Sequence, residues 1–480
     1  MSNAASPETT RKKSIQKISP IDVYKLLPKT NCGECGEANC MAFATRLVNG
    51  ELVMRDCPPL HTPEYKKAHE ALSLLMAPPV RAVVIGTGDT AITAGGKYVL
   101  WRHEFTYHNP TPIAIDVHDM MSKNELRERV AAIGAFSYNY IGRKLELNAV
   151  AIRSVSKDPS TFADTVKTVA GATPLPLILC ALDPAVMEAG LLAAPDRRPL
   201  IYAAMEESWK AMADLALAHN APLAVFAPGD LALLRSLVRT LLEYGVSDLV
   251  LDPGTCADDG LAETLSNFTK IRSLACRQFD ELFAFPLLGV PMTAWTGGEI
   301  SEDVLKWKEA TVASMLMSRY ADLLIMHSMD GWVLLPQLIW RFNLYTDPRK
   351  PVSVEAGVKS FGRPDKKSPV LITTNYALTY FTVESDIKAA NLDCYLIVVD
   401  TGGLSVESAV AGRYFTAESI AGALKEYAVE NLVDHTTLII PGLSARLSGE
   451  TEEASGWKIL VGPKDSSGIP QFLRERWHMA

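Results

Sequence analysis

The chain has 480 residues, 48% of them hydrophobic and 21% charged, with a formal net charge of −8. A single hydrophobic core stops growing at about 250–300 residues, so more than one domain is expected, and the acidic balance argues against a nucleic-acid surface. Residues 313–329 are among the most apolar, but Arg319 and Asp322 interrupt them and no membrane span is expected.

The polar, basic N-terminus, residues 1–17, reads as loose and disordered; it lacks the apolar core of a signal peptide, so a cytoplasmic location is expected. Residues 18–27 read as a short helix capped by Ser19, with Pro20 at its first position. Then comes the densest chemistry in the chain. Cys32, Cys35, Cys40 and Cys57 fall within 26 residues in the spacing C-x2-C-x4-C-x16-C, with Pro58 and Pro59 directly after. Iron–sulfur clusters are held by four thiolates, and a closing Cys-Pro also ends the ligand run of bacterial ferredoxins. Gly33 and Gly36 stand where the backbone must turn tightly beside a cluster. No histidine precedes His61, so the ligand set is all sulfur, which suits a [4Fe–4S] cluster or a structural zinc. Zinc ribbons use two C-x2-C knuckles and only the first pair is spaced that way, which favours the cluster. A disulfide framework is disfavoured without an export signal. Residues 41–49 read as an amphipathic helix whose N-terminus favours negative charge beside Cys40. A charged helix over 61–76 completes a module spanning 18–76. Cys180, Cys256, Cys276 and Cys394 are scattered and read as buried thiols.

Over 81–352 apolar strand runs alternate with helical patterns, which predicts a (β/α)8 TIM-like barrel. Candidate strands are 81–85, 112–117, 149–155, 175–181, 200–204, 223–227, 248–252, 287–291 and 323–327. Nine candidates for eight places imply that the first or second belongs to a lead-in hairpin. The G-x-G-x-x-A stretch at 86–91 reads as a turn, because a dinucleotide fingerprint needs a helix next. Asp116 and His118 resemble the D-x-H-x-x-G signature of cobalt-ligating proteins, but Met121 replaces the glycine and His118 is not expected to bind cobalt. Asp252 and His327 end strands where barrel enzymes keep catalytic groups. The spacing shows no acid, base or nucleophile set around them, so no catalytic residue is expected. Arg341, Arg349 and Lys350 are expected in a solvated turn.

The tail, 368–480, repeats the alternation with strands at 369–374, 395–400, 437–441 and 458–461, and reads as a doubly wound, Rossmann-like α/β domain with a parallel sheet. Ligands of such sheets lie beyond the carboxyl ends of the strands. Those ends are small-residue turns: Thr373-Thr374-Asn375, 400–405 and 441–444. Gly403 and Gly442 are expected to let the backbone approach a broad polar ligand.

Taken together, TNCGECGEANCMAFA and DCPPL, LPLILCALDPAV and DLVLDPGT, TTNYALTYFTVESDI and PGLSARLSGE resemble the large (gamma) subunits of the corrinoid/iron–sulfur proteins of the acetyl-CoA decarbonylase/synthase system. The resemblance runs from about Ile18 to Trp477. It implies a [4Fe–4S] cluster on Cys32, Cys35, Cys40 and Cys57, a barrel, and a C-terminal domain binding a cobamide, the cobalt corrinoid. The cobamide contacts it implies are Thr374, Thr379, Gly403, Leu404, Ser405, Val406, Gly442, Leu443, Ser444 and Ala445. It also implies a heterodimer with a smaller (delta) subunit, and acetyl-CoA synthase and a pterin methyltransferase as further partners. The implied activity is that of a methyltransferase component. It takes a methyl group from a methyl-tetrahydropterin (folate or methanopterin) and passes it to acetyl-CoA synthase, or the reverse.

Overall fold

The computed structural model describes residues 18–48, 52, 54–76, 80–96, 109–296, 300–343 and 351–477. The segment 1–17 and the pair Arg349 and Lys350 lie outside the described residues. These group into two compact units, one within 1–138 and 145–346, the other within 139–144 and 347–480.

The first unit opens with helix α1 (Pro20–Leu26). The Ser19 hydroxyl accepts from the Asp22 N–H, and Pro20 stands where the helix needs no donor. Helix α2 (Cys40–Val48) follows, then α3 (Lys66–Met76). The expected helix from His61 begins instead as two short 3-10 turns, Pro58–His61 and Pro63–Tyr65. Pro58, Pro59 and Pro63 lack N–H groups, so an α-helical ladder cannot run through them. Val23, Phe43, Ala44, Leu47, Leu60 and Leu72 pack with Cys40 and Cys57 into a small core.

Strands β1 (Ala82–Ile85) and β2 (Ile92–Gly95) pair antiparallel, apart from the barrel sheet. This is the lead-in hairpin that the surplus strand implied. The stretch 86–91 is its turn, with Gly86 and Gly88 at positive φ, and it leads into β2 rather than a helix. Next is β3 (Ile113–His118), then a second hairpin of β4 (Ser137–Tyr140) and β5 (Arg143–Glu146) that the sequence reading missed. Strands β6 (Ala149–Arg153), β7 (Leu177–Cys180), β8 (Leu200–Ala204), β9 (Leu223–Phe226), β10 (Leu249–Asp252), β11 (Leu288–Gly289) and β12 (Leu323–Met326) complete the barrel. The order is β10-β9-β8-β7-β6-β3-β12-β11, every pairing is parallel, and a parallel bridge from Leu251 to Leu287 closes the ring.

Residues alternate between the two faces of each strand. Ile113, Ile115, Val150, Ile152, Leu177 and Leu179 pack outward with helix residues such as Val130, Phe162 and Val166. Ala114, Ala149, Ala151, Ile178, Leu200 and Ala224 fill the lumen. Both faces are dry, which explains apolar runs too continuous for one-faced strands.

Arg341 is not solvated. It lies in the helix Gly331–Asn343, which continues past Pro336, and is 4% exposed. Its guanidinium donates to Asn148 Oδ1 and to the Glu146 carbonyl (3.1 Å), and burial lowers its pKa to about 10. Two of the scattered thiols also depart from expectation: Cys256 is exposed and Cys180 half-buried, whereas Cys276 and Cys394 are buried.

The second unit holds a five-stranded sheet: β13 (Gly357–Phe361), β14 (Val370–Thr374), β15 (Cys394–Val399), β16 (Thr437–Ile440) and β17 (Lys458–Val461), in the order β13-β15-β14-β16-β17. Four strands are parallel; β13 is an antiparallel edge that the sequence reading did not include. Its GVKSF is short and half-exposed, too weak a pattern to stand out. Val370, Ile372, Ile397, Leu438 and Ile440 face one hydrophobic layer. Leu371, Leu396, Val398 and Ile439 face the other. This two-sided burial makes the sheet the middle of three layers.

Candidate functional site

The four clustered cysteines line one small cavity, together with Asn31, Glu37, Asn39 and Phe43. Gly33 and Gly36 adopt φ of +74° and +81°, turning the chain between Cys32, Cys35 and Cys40. Asn31 Oδ1 accepts from the Cys40 N–H at 2.9 Å, tying the loop to the start of α2. Cys40 and Cys57 are buried, Cys35 is half-buried and Cys32 is exposed. Burial pushes the Cys57 thiol up, and the nearby Cys35, Cys40 and Cys32 sulfurs push it further. Four sulfurs gathered at one cavity are a donor set for a cationic metal centre, which makes thiolates the favoured form. Among the described residues no three His, Cys, Asp or Glu side chains stand close enough to chelate a single ion.

At the second unit's sheet, β15, β14 and β16 are neighbours with the sequence order second, first, third. The order of strand addition therefore reverses beside β14, and the crevice beyond the strand ends at such a point is where open α/β sheets take ligands. Thr374 ends β14, the turn 400–405 follows β15, and Gly442, Leu443, Ser444 and Ala445 follow β16. Thr374 is fully buried and its Oγ1 has no hydrogen-bond partner. An unpartnered buried hydroxyl costs about 1–3 kcal/mol, so this edge fits a ligand that brings the missing group. Thr379 lies half-buried on the helix Ala377–Ala389, and Val406 begins the helix Val406–Ala411. Leu443 and Ala445 are exposed, whereas the Ser444 hydroxyl donates to the Pro441 carbonyl (2.8 Å).

Gly403 and Gly442 also carry a structural duty. A Cβ at Gly442 would stand 2.7 Å from the Gly462 carbonyl oxygen and the Lys464 nitrogen. Gly403 has φ of +76°, and a Cβ there would meet Pro351 at 3.0 Å. A side chain at either position strikes the protein's own backbone or its neighbours.

The barrel's carboxyl-terminal mouth holds a constellation that sequence spacing does not show. Asp116, fully buried, accepts from His327 Nδ1 (2.5 Å) and Arg153 Nε (2.6 Å). Arg129 Nε donates to the Asp116 carbonyl (2.9 Å), and its Nη2 to the His327 carbonyl. Burial works to raise the Asp116 carboxyl, but the His327 hydrogen bond and the Arg153 guanidinium outweigh it and hold it below its ordinary value. The Trp295 ring lies 4.5 Å from the His327 ring, and Glu309 accepts from the His327 and Ser328 N–H groups. Nearby, Asp252 accepts from the Tyr202 hydroxyl and the Gly254 N–H, both at 2.8 Å, and burial raises it to about 6. Burial and the Arg153 guanidinium hold the His118 imidazole low, and its Nδ1 has no partner. Asp116 and His327 are 211 positions apart. The available signal was the period-two face: Ala114, Asp116 and His118 continue one lumen row, and Leu323, Ile325 and His327 another.

These features define an iron–sulfur class of protein with a barrel and an open α/β sheet. A family model for an Fe–S cluster matches residues 27–59, and the model described as "CO dehydrogenase/acetyl-CoA synthase delta subunit" matches residues 82–473. The chain is 45% identical over 463 residues to the acetyl-CoA decarbonylase/synthase complex subunit gamma of Methanosarcina acetivorans, covering 96% of this chain and 98% of that protein. It is 43% identical over 458 residues to the subunit of the same name from Methanothermobacter thermautotrophicus, covering 95% and 98%. The chain belongs to the family of acetyl-CoA decarbonylase/synthase gamma subunits. Among solved structures, dihydropteroate synthase from Thermus thermophilus aligns with a TM-score of 0.37 at 17% identity, over 54% of this chain and 98% of that one.

Proposed function

We propose that this chain is the corrinoid- and cluster-bearing subunit of a methyl-transfer couple within an acetyl-CoA decarbonylase/synthase complex. It receives a methyl group from a methyl-tetrahydropterin and delivers it to acetyl-CoA synthase, or runs the reverse. When bound, a cobamide supplies a nucleophilic cobalt and a [4Fe–4S] cluster supplies low-potential electrons to restore it after oxidation; the protein holds, tunes and presents both. Cys32, Cys35, Cys40 and Cys57 would hold the cluster, with Asn31 bracing the loop. Thr374, the turn 403–406 and the turn 442–445 would hold the corrinoid at the switch point, with Thr379 on the adjoining helix. A delta subunit would cover the corrinoid's other side. The observation that carries the reading is the coexistence of four converging thiols and a switch-point edge with an orphaned hydroxyl, in a chain of this family. Iron, cobalt and zinc measured together on the purified protein, with its visible spectrum, test it. About four irons and one cobalt are expected; zinc in place of iron, or no cobalt with every partner present, rejects it.

A second reading is favoured by the barrel mouth. The Asp116–His327 pair and the buried Asp252–Tyr202 pair form a polar floor where barrel proteins bind substrates, so the barrel itself would seat the methyl donor. Asp252→Ala and His327→Ala separate the two. A barrel that only organises the chain leaves methyl transfer within about tenfold, whereas an acid–base role loses roughly 10²–10⁴.

A further inference from the structure

Asn375 directly follows β14 and is 4% exposed. Its Oδ1 accepts from the Thr401 and Gly403 N–H groups, both at 3.0 Å, and lies 3.1 Å from the Thr401 hydroxyl, whose one proton it shares with the Leu404 carbonyl. Its Nδ2 donates to Asp400 Oδ1 at 2.8 Å. Two backbone donors on one side and a carboxylate on the other determine which end of the amide faces which. Asp400 Oδ1 also accepts from the Gly402 N–H (2.9 Å), and the Thr401 hydroxyl reaches the Leu404 carbonyl (3.1 Å). The turn after β15 is thus wound around one side chain of the neighbouring strand. The backbone of Asn375 is itself clamped, its N–H donating to the Val399 carbonyl and its carbonyl accepting from the Val354 N–H, both at 2.9 Å.

The turn needs this support. Gly402 and Gly403 sit at φ of +67° and +76°, and glycine explores many other conformations when nothing holds it. Without the amide, the backbone N–H groups of the buried Thr401 and Gly403 would lose their acceptor. Thr374, with its orphaned hydroxyl, is the residue before Asn375, so one side chain locks two strand ends into a single edge.

We propose that Asn375 is the positioning residue of the corrinoid edge: it holds the turn 400–404 in the shape that receives the ligand, without touching it. This rests on the cobamide reading above. The order of events would be preorganisation first and binding second, so loss of Asn375 appears as weaker binding by a folded chain.

The test uses the full chain with its cluster, stripped of corrinoid and titrated with aquocobalamin while the visible spectrum is followed. Asn375→Ala should raise the dissociation constant about ten- to a hundredfold at unchanged iron content, the loss expected for a charge-assisted hydrogen bond and its neighbours. Asn375→Asp keeps the acceptor but sets a second carboxyl beside Asp400, and like charges that close raise the pKa of the pair. Protonated, the new acid donates to Asp400 and restores the native pattern; ionised, it repels it. Affinity of the Asp variant should therefore approach wild type near about pH 6 and fall toward about pH 8, while wild type and the Ala variant stay flat. Among the described residues, Tyr427 near the turn, raised by burial with Glu426 and Asp400 beside it, stays neutral across that range. Equal affinity in all three proteins overturns the proposal, as does an Asp profile as flat as that of Ala. If the Ala variant does not fold, the Asp variant at low pH still decides the matter. Wild-type chain that takes up no corrinoid rejects the cobamide reading itself, and the proposal with it.

Discussion

Replacing Asp252 with Asn probes the barrel mouth with a change of charge and almost none of shape. The carboxyl is 1% exposed and raised from an ordinary 3.8 to about 6, chiefly by burial. At about 1.4 kcal/mol per tenfold, keeping it ionised in the folded state costs about 3 kcal/mol relative to the unfolded chain. The sign follows from which state holds the proton more tightly. A folded-state value above the unfolded one means the wild type is most stable below about 4 and loses stability as pH rises through about 6. Asparagine does not titrate, its Oδ1 can still accept from the Gly254 N–H, and the Tyr202 hydroxyl can turn to accept from its Nδ2. Urea denaturation followed by tryptophan fluorescence should find the variant gaining on wild type by about 3 kcal/mol between pH 4 and pH 7. The difference between two proteins cancels every other group that titrates alike. A difference that does not change with pH would refute the burial argument. The same variant's methyl-transfer rate also discriminates between the organising barrel and the donor-binding barrel.

Cys35→Ala should lose cluster iron and keep corrinoid binding, since the thiols and the sheet edge lie in separate units; full iron content in that variant, by colorimetric assay, would reject the ligand set. Asp116→Ala leaves Arg129 and Arg153 facing a buried gap and should cost about 3–5 kcal/mol of unfolding free energy, read from the denaturation midpoint, against less than about 1 if the network were idle. Because the Asp116 carboxyl is held below its ordinary value, its contribution is present above about 4 and is lost on further acidification, which a pH series of the same midpoints would show. Gly442→Ala forces a Cβ onto the Gly462–Lys464 backbone and should destabilise the second unit by about 1–3 kcal/mol, read by thermal melting; an unchanged melting temperature would refute the close-packing argument.

Local sequence was sufficient wherever the determinant is local. The cysteine spacing with Gly33 and Gly36, the Ser19 cap with Pro20, and the alternation of apolar strands with helices are short-range patterns, and each is present in the folded chain. So is the surplus first strand, legible as a hairpin by counting alone. What the sequence by itself could not decide is which distant residues meet. Asp116 and His327 become partners only because β3 and β12 are neighbours in a closed ring, and Tyr202 meets Asp252 across β9. Arg341 looked solvated because its charge and a nearby proline suggest a turn; burial became possible only when Asn148 and Glu146 arrived to accept its hydrogen bonds. That packing also requires glycine at 403 and 442 was not legible, because the chain that crowds them is segment 351–353 in one case and 462–464 in the other. Asn375 was legible only as a member of the polar strand end Thr373-Thr374-Asn375, with nothing to set it apart from its neighbours. Its role exists only where β15 lies beside β14, because a side chain that satisfies another strand's backbone is defined by neighbours that the fold alone supplies.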